Sequence, residues 1–161
     1  MSNIEKRQGI SGLTSFFKEC IPHISNSSTI VFSGSVGVCT PFAELLSYAV
    51  KNDGHDLIYV PKADLSQARL IQWRDSVGFV VGDKAEISQA EVLVILGGLA
   101  MPKFGVPIED IEELHNKLGN PRLIGVGFMD IFEKSGWANR LPFSAIINSN
   151  IDAGMWLKEQ P

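Results

Sequence analysis

Apolar residues fall along this chain in two alternating rhythms. Ile10, Leu13, Phe17, Cys20 and Ile21 recur at helical spacing until Pro22 interrupts them, which predicts an amphipathic N-terminal helix over residues 9–21 packed on one face of a sheet. The rhythm then tightens. Thr29-Ile30-Val31-Phe32-Ser33 is a short β-branched run ending at Gly34, the pattern of a buried strand. Phe42, Leu45, Leu46, Ala49 and Val50 form one helical stripe, with Thr40 as the expected cap, Pro41 at the first position and Gly54 as the stop. Leu57-Ile58-Tyr59-Val60 reads as a second strand closed by Pro61. Strand, helix and strand within about thirty residues make a βαβ unit.

Further on, Leu65, Ala68 and Ile71 fit a helix while Leu70-Ile71-Gln72-Trp73 fits an extended run, so both readings of residues 64–75 stay open. Val77-Gly78-Phe79-Val80-Val81 is strand-like, as one arm of an edge hairpin. Val92-Leu93-Val94-Ile95-Leu96 is apolar at every position, as a strand covered on both faces requires, and belongs at the centre of the sheet. A helix begins near Pro107, carries Glu109, Asp110, Glu112 and Glu113 where its dipole favours acids, and ends at Gly119. Leu123-Ile124-Gly125-Val126-Gly127 is the next strand. An Asp130-x-x-Glu133 capped turn follows, then a last strand over residues 144–148, and Asp152 is expected to cap a terminal helical turn carrying Trp156. Strands alternating with helices, without repeats or a dividing linker, predict one α/β domain over residues 1–161: three layers around a mainly parallel sheet of Rossmann-like or flavodoxin-like type.

Composition narrows the function more by exclusion than by assignment. The 161 residues are 45% hydrophobic and 20% charged, which rules out disorder and low-complexity scaffolding. Fourteen Lys and Arg against eighteen Asp and Glu give a net charge of −4, with no basic stretch longer than Lys6-Arg7, so neither nucleic acid nor an anionic membrane is an expected partner. Cys20 and Cys39 form no C-x-x-C pair. The polar start at Met1 to Gln8 has no signal-type apolar core, and the longest apolar run is too short to span a bilayer. The expected location is therefore the cytoplasm.

Open parallel sheets place their ligands at the carboxyl ends of the strands, near the point where strand order reverses. That rule selects the loops at 33–40, 61–62, 97–102, 127–130 and 148–150. In the first, Gly34 and Gly37 allow a tight turn, Ser33, Ser35 and Thr40 add hydroxyls, and the following helix aims free N–H groups at the loop, which suits a small anionic or nucleotide-like ligand. Gly97, Gly98, Gly127 and Asp130 would wall such a seat. Glycines at a strand-to-helix turn also serve geometry alone. The dinucleotide motif would need glycine where Phe32 stands and the P-loop would need Gly-Lys where Val38-Cys39 stand, so no cofactor is assigned. Lys62 is placed to meet a phosphate, though a single lysine is usually solvated.

Cys39 at a helix start is a candidate nucleophile, but His23, His55 and His115 all fall in places that do not put a base beside it, and a free cysteine is commonly a small buried hydrophobe. No spacing of His, Cys and carboxylates indicates a metal. Asp130, Asn148, Asn150 and Asp152 gather oxygens for a hard cation only if the last two strands are neighbours, and capping roles explain them with less. The connection from Leu99 to Pro107 is long and apolar for a surface loop, which marks it as a lid, a docking surface for a partner, or the interface of a homo-oligomer. Three functions thus remain: binding of a small anion, thiol catalysis at Cys39, and interaction through residues 99–107.

The segments Phe32-Ser-Gly-Ser-Val-Gly-Val-Cys-Thr-Pro-Phe-Ala-Glu-Leu-Leu and Leu96-Gly-Gly-Leu-Ala-Met-Pro-Lys-Phe-Gly-Val-Pro resemble a small family of uncharacterised proteins from methanogenic archaea, with Gly37-x-Cys39-Thr40-Pro41-Phe42 as the core motif. The resemblance runs over most of the chain. It implies a cytoplasmic archaeal protein with a Rossmann-like α/β fold, a domain of unknown function, and it supplies no catalytic residues to carry over.

Overall fold

The computed structural model describes residues 4–21 and 28–159. Helix α1 (Gly9–Cys20) comes first, followed by strand β1 (Thr29–Gly34), helix α2 (Thr40–Ala49) and strand β2 (Asp56–Pro61). Strands β3 (Arg69–Arg74) and β4 (Gly78–Lys84) form a hairpin. Then come β5 (Val92–Leu96), α3 (Ile108–Lys117), β6 (Arg122–Phe128), two single-turn helices α4 (Ile131–Lys134) and α5 (Trp137–Arg140), and β7 (Ala145–Ser149). All seven strands share one sheet in the order β4-β3-β2-β1-β5-β6-β7. Strands β2, β1, β5, β6 and β7 run parallel, and the β2–β3 and β3–β4 pairings are antiparallel.

Strand order explains where the helices lie. From β1 the chain steps to one side through α2, whereas from β5 it steps to the other side through α3, and right-handed crossovers in opposite directions must lie on opposite faces. One core accordingly joins Leu13, Phe17 and Leu46 of α1 and α2 to Ile30, Phe32 and Val94. The other joins Ile111 and Leu114 of α3, with Phe132 and Trp137, to Val31, Leu93 and Ile95. Every residue of β5 is buried, as its unbroken apolar run requires.

Several local expectations are corrected. Thr40 is the first residue of α2 rather than its cap. Cys39 holds the cap position in helical geometry, and its side chain makes no capping bond. Residues 64–75 are mixed: a 3₁₀ turn at Leu65–Gln67, capped by the Asp64 carboxylate on the Ser66 N–H at 3.1 Å, leads into β3. Asp130 precedes α4 in the left-handed region, φ 59°, so its side chain does not cap the turn. The tail over 151–159 contains no helix, and no terminal turn forms around Trp156. Pro22 and His23 lie outside the described residues. No helix among the described residues is long and apolar enough to cross a membrane.

Candidate functional site

The reversal of strand order falls between β1 and β5, so the loops that leave their carboxyl ends diverge and a crevice is expected there. The structure brings Ser35, Cys39 and Gly98 together at this place. A Cβ at Gly34 would lie 2.4 Å from the Cys39 Cβ, and one at Gly98 would lie 2.6 Å from its Sγ and 2.7 Å from the Ser35 Oγ. Both glycines are therefore needed for packing: the thiol, 4% exposed, fills the space between the two strand ends. The Ser35 hydroxyl donates to Cys39 Sγ at 3.2 Å, and the Tyr59 phenol donates to the Ser35 carbonyl at 2.7 Å. Burial pushes the Tyr59 phenol up to about 12, with a Thr40 hydrogen bond opposing the shift and Cys39 adding to it.

Ser33 faces a different task. Its buried hydroxyl donates to the Val60 carbonyl at 2.7 Å and accepts from the Ala63 N–H at 3.1 Å. Lys62 and Ala63 both take left-handed backbone, φ 51° and 57°, and the Lys62 N–H is held by the Gly34 carbonyl at 2.9 Å. Ser33 and Gly34 thus hold a strained turn at the end of β2. The second group of glycines is packed in the same way as the first. A Cβ at Gly97 would meet Ile131 at 2.7 Å and the Gly127 Cα at 3.0 Å, while one at Gly127 would meet Ile131 at 2.8 Å and Phe132 at 3.0 Å. Of the glycines at these ends, only Gly37 has open space around its Cβ position, and its φ of +86° explains the residue.

The strands β6 and β7 are neighbours, with Gly127 opposite Asn148. The oxygens at their ends satisfy one another: the Asn148 amide donates to Asp130 Oδ1 at 2.8 Å and its carbonyl accepts the Asp130 N–H at 2.8 Å. Asp152 is exposed and outside this pair. Among the described residues no group of three His, Cys, Asp or Glu is arranged to hold a metal ion. No histidine of this set stands beside Cys39 either. His55 is at the amino end of β2, about 20 Å away along a six-residue strand, where it is bonded to Ser28, and His115 is tied to the Pro121 carbonyl at 2.7 Å. The Ser28–His55 pair was not legible beforehand, since the two residues are 27 apart and only the β1–β2 register joins them.

The loops above the filled crevice carry exposed apolar side chains. Val36 and Val38 flank Gly37 at 67% and 68% exposure, Phe104 in the loop after β5 is 65% exposed, and Met101 and Met129 are exposed as well. These five side chains come from the loops after β1, β5 and β6, three adjacent strands. Two clefts of the described surface lie elsewhere. One of about 330 Å³ runs between Leu45 and Tyr48 of α2 and Phe79 of β4, and one of about 440 Å³ lies near His55 and Glu86 at the amino end of β2.

These features define an α/β protein with a seven-stranded, mostly parallel sheet whose order reverses beside its first strand. The chain belongs to the archaeal family described as an uncharacterized protein conserved in archaea (DUF2124), which it matches over residues 8–152. An uncharacterized protein of Methanocaldococcus jannaschii is 35% identical over 156 residues, covering 97% of this chain and 94% of the relative. One of Methanothermobacter thermautotrophicus is 36% identical over 154 residues, covering 94% and 96%. A crystal structure of a protein of unknown function from Methanothermobacter thermautotrophicus has the same fold, with a TM-score of 0.87 at 34% identity over 98% of this chain and 99% of that one. The resemblance carried by Gly37-x-Cys39-Thr40-Pro41-Phe42 is thus to this archaeal family.

Proposed function

We propose that the protein is a binding module whose contact surface is the carboxyl end of its sheet, centred on Met101 and Phe104. The observation that carries this reading is the pairing of a filled crevice with an apolar rim. The glycine spaces beneath are occupied by Cys39, Ile131 and Phe132, while Val36, Val38, Met101, Phe104 and Met129 stand exposed on three adjacent loops. Exposed apolar side chains gathered on neighbouring loops mark interaction sites. Photo-crosslinking tests it. The crosslinker p-benzoylphenylalanine in place of Phe104 should give adducts in extract of the cells that make the protein, a second copy included, whereas the same group at the exposed Lys51 should not. Absence of any adduct from position 104 overturns the reading.

A second reading is supported by topology. The parallel strands follow a flavodoxin-like order, and the turn at 36–39 lies at its switch point, where Gly37 and Thr40 at the start of α2 suit a small anion resting on the outside of the turn. A thermal-shift series with phosphate and nucleotides separates the two. A rise in melting temperature that Gly37→Val abolishes supports the anion, and no rise with any of them removes it. Thiol catalysis has the least support, because the polar partner of Cys39 is a hydroxyl and not a base. Two free thiols fit a reducing cytoplasm.

A further inference from the structure

The apolar rim shares its end of the molecule with an apolar tail. Strand β7 runs parallel to its neighbours, so it finishes beside the rim, where the Met129 N–H donates to the Ser149 carbonyl at 3.0 Å. The chain then continues without helix or strand, and Ile151, Met155, Trp156 and Leu157 are 58%, 82%, 90% and 81% exposed. Every residue from 151 to 159 is exposed.

Resting on the contact-surface reading above, we infer that the occupant of the rim is a second copy of this chain, each copy laying its 151–157 tail across the other's Val38, Met101 and Phe104. Two observations support a second copy. The first is area. The five rim and four tail side chains of one chain together expose on the order of 1,000 Å² of apolar surface, so an exchange of tails can bury the ~800 Å² per partner of a standard stable interface. The second is reach. Residues 150–157 extended span up to ~28 Å, enough to cross the ends of three neighbouring strands at ~4.8 Å per strand and so to cover the rim of a facing copy. On their own chain the four tail side chains stay 58–90% exposed. Tail and rim on every chain form a self-complementary pair, which a two-fold axis closes into a dimer without leaving either surface open.

Light scattering on the eluting full chain, with circular dichroism to confirm folding, tests this. The expected mass is twice 17.6 kDa. Phe104→Asp on the rim and Trp156→Ser with Leu157→Ser on the tail should each weaken the dimer about 30-fold or more, the scale of a lost buried anchor. Mixing the rim variant with the tail variant should restore a dimer, since one copy still has an intact tail and the other an intact rim. A wild-type chain that stays at single mass, or a mixture that restores nothing, overturns the exchange, and the latter is what a tail folded onto its own rim would give. A dimer lost with Phe104→Asp but kept with the tail variant also overturns it while leaving the contact face standing. A dimer indifferent to Phe104 counts against both.

Discussion

The thiol of Cys39 occupies the place a β-carbon on Gly98 would need: the two would be 2.6 Å apart, with the Ser35 hydroxyl 2.7 Å away on the same side. Cys39 leads into α2 and Gly98 follows β5, so this contact sets how closely the helix start approaches the strand beside β1. Gly98→Ala is expected to cost ~1–3 kcal/mol, as overpacking of a buried site does, and to lower the melting temperature by several degrees. Adding Cys39→Ala should recover part of that loss, because residues in contact do not behave additively. Thermal denaturation of the two single variants and the double variant measures the coupling, and simple additivity would mean that the thiol is not what the glycine accommodates.

That contact also marks the limit of what the amino-acid order conveys. The strands other than β3, whose residues fitted helix and strand alike, were legible with α2, α3 and the central place of residues 92–96, because periodicity, Pro41, Pro107 and Gly119 are local signals. The converging loops were legible too, since a parallel sheet gathers its carboxyl ends. Whether the glycines there open a space or fill one was not. Gly97 and Gly127 are closed over by Ile131, and Gly97 is 34 residues from it in sequence, so no local pattern encodes the contact. The left-handed turn at Lys62-Ala63 was hidden for the same reason, being held from β1 by Ser33.

Ser33 makes a prediction opposite to that of a ligand-binding hydroxyl. Ser33→Ala removes the donor to the Val60 carbonyl in β2 and the acceptor of the Ala63 N–H on the turn with two left-handed residues that follows it. The expected loss is ~2 kcal/mol of unfolding free energy, from groups left without partners and a strained turn released. Chemical denaturation should show it without any ligand present. A change below ~0.5 kcal/mol, the size of an ordinary surface substitution, would remove Ser33 from this role.

Tyr59 gives the protein an alkaline limit. Its phenol is pushed up to about 12 in the folded chain, chiefly by burial, against 10.0 for an ordinary tyrosine. A group whose folded pKa is raised contributes fully below its unfolded pKa and loses that contribution as pH rises through the folded value. About 2–3 kcal/mol of stability should therefore fade between pH ~10 and ~12. Of the two tyrosines, one should ionise only near the upper end of that window in phenolate absorbance. Tyr59→Phe should abolish this late titration, lower stability at neutral pH through the orphaned Ser35 carbonyl, and flatten the alkaline loss. An alkaline loss equally steep in the variant would place its cause elsewhere.

The packing role of Cys39 and its catalytic role differ in how the thiol meets a small alkylating agent. Buried under Gly34 and Gly98 and bonded to the Ser35 hydroxyl, Cys39 can react only after local opening. In a Cys20→Ser background, which leaves a single thiol, iodoacetamide should modify Cys39 at least ~100-fold more slowly than a free thiol with a pKa near ~8.5. The rate should climb with denaturant in step with the unfolded fraction. Gly98→Ala, by loosening the contact, should raise the rate in native buffer. Fast native labelling would instead mean that the crevice opens readily to solvent, which would weaken the argument that its glycines serve packing and return thiol chemistry to the first rank of readings.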